Sequence, residues 1–191
     1  MMKLLCTLLL FVFSLYAQDT IAILPLGSID TSVFNNVLPL ISKEYNNAKI
    51  VLLNRAEMPS YAYYKPRNRY RAEILLSFLD TVHCEATKIV GLTDLDISTT
   101  KGEYVDWGIF GYGSIDGKSC VCSMYRLKNK GTPEEFNSRL RKLITHELGH
   151  TYGLDHCAWP LCVMADYKGT MASLDRTGYH FCAQCKKKYN H

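Results

Sequence analysis

Residues 146–164, HELGHTYGLDHCAWPLCVM, and the CAQC at Cys182–Cys185 constrain the fold more than any other part of the chain. On a helix, residues four apart share a face one turn from each other. His146 and His150 therefore present two imidazoles to one point. Glu147 sits beside them, poorly placed to ligate but able to reach water held at that point. A third histidine, His156, lies too far along the axis unless the helix stops. Gly153 supplies the stop, because glycine adopts the left-handed conformation that closes helices. Three neutral imidazoles with one open position are the ligand set of a catalytic zinc. Such an ion polarises a carbonyl and acidifies water, and Glu147 is placed to act as general base and to pass the proton to a leaving amine. The bare HExxH pattern is weak, whereas HExxHxxGxxH with a downstream methionine is far more specific.

The cysteines add a second constraint. Cys157 and Cys162 flank a four-residue loop, and Cys182 and Cys185 form a CxxC knuckle. Two such pairs separated by a longer stretch make a closed, tetrahedral, all-thiolate zinc site that contributes folding energy. In an oxidising compartment the same four cysteines can pair as two disulfides.

The chain has 191 residues, 48% of them hydrophobic and 21% charged, which suits one globular domain with a sizeable core. A net charge of +4 is too mild to imply nucleic acid. The chain opens on a basic Met1-Met2-Lys3, then an almost wholly apolar run from Leu4 to Tyr16, then Ala17 before Gln18-Asp19. This is the pattern of a secretory signal peptide over residues 1–17, too short for a membrane span. The competing readings are a buried first strand or an uncleaved anchor. Export with cleavage leaves a chain of residues 18–191 outside the cytoplasm and not inserted in the membrane. Eight cysteines include Cys6, which departs with the leader, and Cys84, Cys120 and Cys122, an odd number. Cys120 and Cys122 face one side of an expected strand, and burial as inert small hydrophobes is the expected state of all three.

Strands are expected at residues 20–26, 49–53 and 88–92, alternating with helices at 32–45, kinked by Pro39, and at 67–82. Residues 104–112 and 119–127 read as two antiparallel strands joined by a turn at Asp116-Gly117. A third helix starts with Thr132 as N-cap, Pro133 in its first position and Glu135 as capping-box partner, and runs to Tyr152. The order implies an α/β (α+β) fold with a mixed twisted sheet. Asp94 and Asp96 read as strand-end residues taking backbone hydrogen bonds rather than calcium ligands. Residues 63–71 interleave aromatic and basic side chains but read as a solvated helix start rather than a nucleic-acid surface. Lys186, Lys187 and Lys188 read as a solvated tail, and His180 and His191 receive no role.

HExxHxxGxxHCxxxxCxM followed by CxxC resembles the archaemetzincin family of zinc metalloproteases. The match is carried by His146, Glu147, His150, Gly153, His156, Cys157, Cys162, Met164, Cys182 and Cys185. IAILPLGSID, AYYKPRNRYRAEILLSFL and KIVGLTDLDI also resemble landmarks of that family. The resemblance implies a metzincin-like fold and a peptidase or aminopeptidase acting on a peptide or protein substrate. It implies two zinc ions, one catalytic and one structural. Met164 resembles the methionine that lies under the catalytic zinc. Tyr167 is weighed as an oxyanion donor but reads rather as a packing or surface residue. By resemblance, Trp107, Gly108, Ile109, Phe110 and Gly111 form the edge strand that pairs with substrate. The expected layout is an upper subdomain, 18–153, and a lower one, 154–191, around the four cysteines, in a monomer. The competing function is a zinc-containing peptide-binding module of the same fold with little turnover, against which an intact Glu147 argues.

Overall fold

A computed structural model describes residues 18–128 and 131–190. The expected leader at 1–17, Cys6 and His191 lie outside the described residues. A five-stranded sheet has the order β2-β1-β5-β9-β8, formed by β1 (Thr20–Leu26), β2 (Lys49–Leu52), β5 (Lys88–Thr93), β8 (Gly111–Gly113) and β9 (Ser119–Ser123). Its first four strands are parallel, and β8 runs antiparallel to β9 at one edge. A four-stranded sheet has the order β3-β4-β6-β7, from β3 (Tyr63–Tyr64), β4 (Arg69–Arg71), β6 (Ile97–Lys101) and β7 (Tyr104–Ile109). The expected mixed α/β architecture is therefore present.

Side chains alternate across the five-stranded sheet, as a period of two requires. Ile21, Ile23, Val90, Leu92, Cys120 and Cys122 enter one apolar cluster, together with Leu140, Leu143, Ile144 and Leu148 of the long helix α3 (Pro133–Thr151). Ala22, Leu24, Leu26, Ile89 and Val121 enter the other, beneath Leu75 and Leu79 of α2 (Ala72–Asp80). The sheet is thus covered on both faces, and α3 is pinned along its apolar side. Its start is the expected capping box: Glu135 N donates to Thr132 Oγ1 at 3.2 Å, and Thr132 N donates to Glu135 Oε2 at 2.7 Å. Gly153 ends it at φ 77°.

Several elements differ from those expected of the sequence. Pro39 does not kink a helix; a 3-10 turn at Thr31–Phe34 precedes α1 (Leu38–Glu44), and Pro39 sits in the first turn of α1. A proline there breaks no intrahelical bond. The expected 67–82 helix starts only at Ala72, because Asn68 adopts a left-handed φ of 51° and Arg69–Arg71 pairs with β3 and β6. Residues 104–112 are not one strand. They divide at Phe110, the first part pairing with β6 and the second with β9. The strand after Ser119 ends at Ser123, and Leu127 N turns back onto Met124 O. Lys186, Lys187 and Lys188 are exposed as expected, but they form the last turn of α5 (Ala183–Tyr189), which follows the short α4 (Met171–Arg176), and cations there complement the helix dipole.

Asp96 takes side-chain partners rather than backbone ones: Arg126 Nε at 2.7 Å, Arg126 NH2 at 3.0 Å and Arg69 Nε at 2.7 Å. Arg69 also reaches Asp106 at 2.8 Å, so the charges form a half-buried network behind β7. Gly108 belongs to that network, because a β-carbon there would lie 1.9 Å from the Arg126 guanidinium.

Candidate active site

The last two turns of α3 carry His146, Glu147 and His150, all buried, and the chain doubles back after Gly153 to bring up the exposed His156. Ring centroids are 4.7 Å apart for His146 and His150, 5.2 Å for His146 and His156, and 5.0 Å for His150 and His156. One nitrogen from each ring lies within 4.8 Å of the other two.

Backbone carbonyls fix the tautomers. His146 Nδ1 donates to Val163 O at 2.8 Å, and His150 Nδ1 to Leu154 O at 2.7 Å. A carbonyl only accepts, so both Nδ1 atoms carry the proton and both Nε2 atoms are bare. Those two bare nitrogens face each other at 3.1 Å. Two lone pairs at that distance repel unless a proton or a metal ion lies between them, and burial disfavours the proton. Zinc–nitrogen bonds of about 2.0–2.1 Å at a tetrahedral angle put ligand nitrogens roughly 3.3 Å apart, so the donor set fits zinc. Burial, then the neighbouring His150, holds the His146 imidazole well below the usual range, and burial lowers His150 too, so both stay neutral.

The four cysteines also converge. One sulfur from each of Cys157, Cys162, Cys182 and Cys185 lies within 4.8 Å of the other three, and all four are free thiols. Cys157 Sγ and Cys182 Sγ stand 3.7 Å apart. A disulfide needs about 2.05 Å, whereas zinc–sulfur bonds of about 2.3 Å separate tetrahedral ligands by roughly 3.8 Å. Backbone N–H groups already point at the sulfurs: Trp159 N at Cys157, 3.4 Å, and Cys182 N at Cys162, 3.3 Å. Burial opposes ionisation of Cys182, but the Cys185 N–H and neighbouring thiols outweigh it and bring the thiol down to about 7. Buried Glu44 holds the knuckle in place, taking Phe181 N at 2.9 Å and His180 Nδ1 at 2.5 Å. That partnership gives His180 a structural role the sequence did not disclose. Cys120 and Cys122 face the core as expected, and Cys84 is half-buried.

Glu147 is 6% exposed and lies under the β8 edge. Burial pushes its carboxyl up to about 8, while the Gly113 N–H pulls it down. A dication held by the adjacent imidazoles would oppose that rise. The close approach depends on two glycines that flank Tyr112. A β-carbon on Gly111 would lie 2.6 Å from Glu147 Cγ, and one on Gly113 would lie 2.5 Å from Glu147 O. The second clash is with helix backbone, which cannot turn aside. Gly113→Ala is therefore expected to cost about 1–3 kcal/mol and to lower turnover by displacing Glu147; unchanged melting and kinetics would contradict this packing.

A cavity of about 790 Å³ runs past the histidines. Its walls include Trp107, Ile109, Phe110 and Gly111 from the expected edge segment, but Gly108 is not among them. Tyr112, Gly113, Asp155, Asp166 and the α2 residues Ser77 and Asp80 also line it, and sequence reading missed them. Gly113 had a signal, since glycines two apart on a strand mark close backbone approach. The others are brought in by the chain path alone. Met164 is fully buried with its sulfur against Gly149, and Tyr167 is buried under His146.

The sequence profile of peptidase family M54 matches residues 20–191. An archaemetzincin from Methanopyrus kandleri is 36% identical over 142 residues, covering 74% of this chain and 78% of its own. One from Halobacterium salinarum is 30% identical over 175 residues, covering 86% and 96%. The crystal structure of the M. kandleri archaemetzincin superposes with a TM-score of 0.82 at 28% identity, covering 94% of this chain and 97% of the other. That of the Archaeoglobus fulgidus archaemetzincin, complexed with malonate, gives 0.75 at 27% identity, covering 88% and 99%. With three imidazoles, a buried carboxyl and four thiols in the places described, the chain belongs to peptidase family M54, the archaemetzincins, and is a zinc metallopeptidase.

Proposed function

We propose that His146, His150 and His156 hold the catalytic zinc, that Glu147 is the general base for peptide hydrolysis, and that Cys157, Cys162, Cys182 and Cys185 hold a second, structural zinc. The observation that carries the reading is the position of Glu147, a buried carboxyl beside three convergent imidazoles on the wall of an open cleft. Zinc in the histidine site supplies Lewis acidity, polarising a carbonyl and lowering the pKa of water to about 7. Glu147 takes the proton from water and returns it to the departing amine. The Gly113 N–H orients its carboxylate during both transfers.

The substrate lies along β8, held by strand addition. Phe110 O accepts from Ser123 N, and Ser114 N donates to Ser119 O, so alternate residues face β9. Antiparallel alternation then turns Gly111 and Gly113 to the free edge. Gly113 N–H serves Glu147, which leaves Gly111 N–H and C=O and Gly113 C=O for a peptide backbone. This moves the backbone-pairing residues of the edge segment to Gly111 and Gly113, with Trp107, Ile109 and Phe110 as cleft walls.

Two further readings belong to the same proposal. The chain works as an upper subdomain, 18–153, and a lower one, 154–191, which meet at the Gly153–Leu154 peptide where α3 has ended. Residues 1–17 direct export and are removed; a mature chain that begins near Gln18 outside the cytoplasm is expected, and soluble cytoplasmic protein beginning at Met1 or Met2 would refute it. No helix among the described residues is long and apolar enough to cross a membrane.

A mixed peptide library with mass-spectrometric readout tests the activity and identifies the bonds cut. Cleavage that stops with a chelator and returns with zinc is expected. Capture without cleavage by zinc-loaded protein would favour a binding module.

A further inference from the structure

We infer that Tyr167 is a positioning residue for His146: its ring fixes the imidazole, and its hydroxyl serves the frame of the site rather than the substrate. The inference rests on His146 being a zinc ligand. Tyr167 lines the cleft yet is 6% exposed. Its ring lies against the His146 ring, with centroids 4.3 Å apart and planes inclined at 36°. A flat face at that distance stops the imidazole from rotating about its own axis, which the single Nδ1 hydrogen bond to Val163 O resists only along one direction.

The hydroxyl is directed away from the reacting position. It donates towards Lys142 O at 3.1 Å and Val163 O at 3.3 Å. It has one proton, shared between two carbonyls of the protein frame. Val163 O is the same carbonyl that accepts His146 Nδ1 at 2.8 Å. Tyr167 thus ties together the turn of α3 that carries His146 and the carbonyl that sets its tautomer. Donation to a developing oxyanion would require both bonds to break and the ring to leave His146.

Groups that orient a metal-bound histidine typically change metal affinity about 10–100-fold when removed. The test is zinc titration of the histidine site against a competing chelator, run beside peptide hydrolysis, on wild type, Tyr167→Phe and Tyr167→Leu. Tyr167→Phe keeps the flat face and is expected to stay within about threefold of wild type in zinc affinity and kcat. Tyr167→Leu loses the face and is expected to bind zinc about 10–100-fold more weakly, with kcat falling and KM little changed. Tyr167→Met, whose longer flexible chain can adapt to the gap without presenting a flat face, replaces Tyr167→Leu if that variant does not fold.

Wild-type zinc affinity in the Leu or Met variant would overturn the inference. So would a loss of about 100-fold or more in kcat for Tyr167→Phe with zinc affinity intact, the signature of a lost transition-state donor. Zinc affinity is read without turnover, so it decides this point even if Glu147 proves not to be the base.

Discussion

Replacing Glu147 by Gln is expected to abolish peptide hydrolysis, a loss of about 10²–10⁴-fold, while zinc stays bound in the histidine site. The amide fills the same volume and still offers an oxygen to the Gly113 N–H, so the cleft should hold its shape. What disappears is the basic oxygen. Glu147 lies outside the convergent imidazole set, so the zinc content of the variant should equal that of wild type. Steady-state hydrolysis and elemental analysis on one preparation decide the matter. Near wild-type kcat would remove Glu147 from the mechanism. Loss of zinc in step with loss of activity would make it a ligand instead.

The second large effect is expected at the four-cysteine cluster. Replacing Cys182 and Cys185 together by Ser should remove the structural zinc and leave poorly folded protein. The four sulfurs gather the loop after His156, the Met164 turn and the start of α5 at one point. Metal binding there is folding energy, on the order of several kcal/mol or more. Cys157 follows His156 directly, and Cys157 N donates to Met164 O at 2.8 Å, so loss of the thiolate site should loosen His156 as well. Chelation should proceed in two stages. The solvent-open histidine site empties first and activity stops without unfolding. The thiolate site empties under harsher conditions and the melting temperature drops sharply. A double variant as stable as wild type would exclude a structural metal.

The histidine and cysteine clusters were both legible in the sequence because helical period, a glycine stop and cysteine spacing are local rules. His146, His150 and Gly153 satisfy them within eight residues, and the structure brings His156 and the four cysteines to the places those rules require. The capping box of α3 was readable for the same reason. The edge strand was legible only in part. Its division at Phe110 depends on β6, a short strand of mixed polarity that gave no alternation to read. Gly108 was placed in the substrate-pairing edge strand by resemblance; only the path of Arg126, eighteen residues on, shows that it makes room for a guanidinium. Asp96 and Glu44 were opaque likewise. Their partners, Arg126 and His180, are distant in sequence, and no local pattern encodes such a pairing. The sequence left Tyr167 open between a packing and a surface position; its burial and its contact with His146 follow from tertiary geometry alone.

The most direct test of the central claim is the zinc content of freshly isolated native protein, measured by elemental analysis together with thiol titration in denaturant. Two zinc ions per chain are expected, with Cys157, Cys162, Cys182 and Cys185 all titrating as thiols once the metal is removed. One zinc ion per chain, with those four cysteines oxidised as two disulfides, would contradict it.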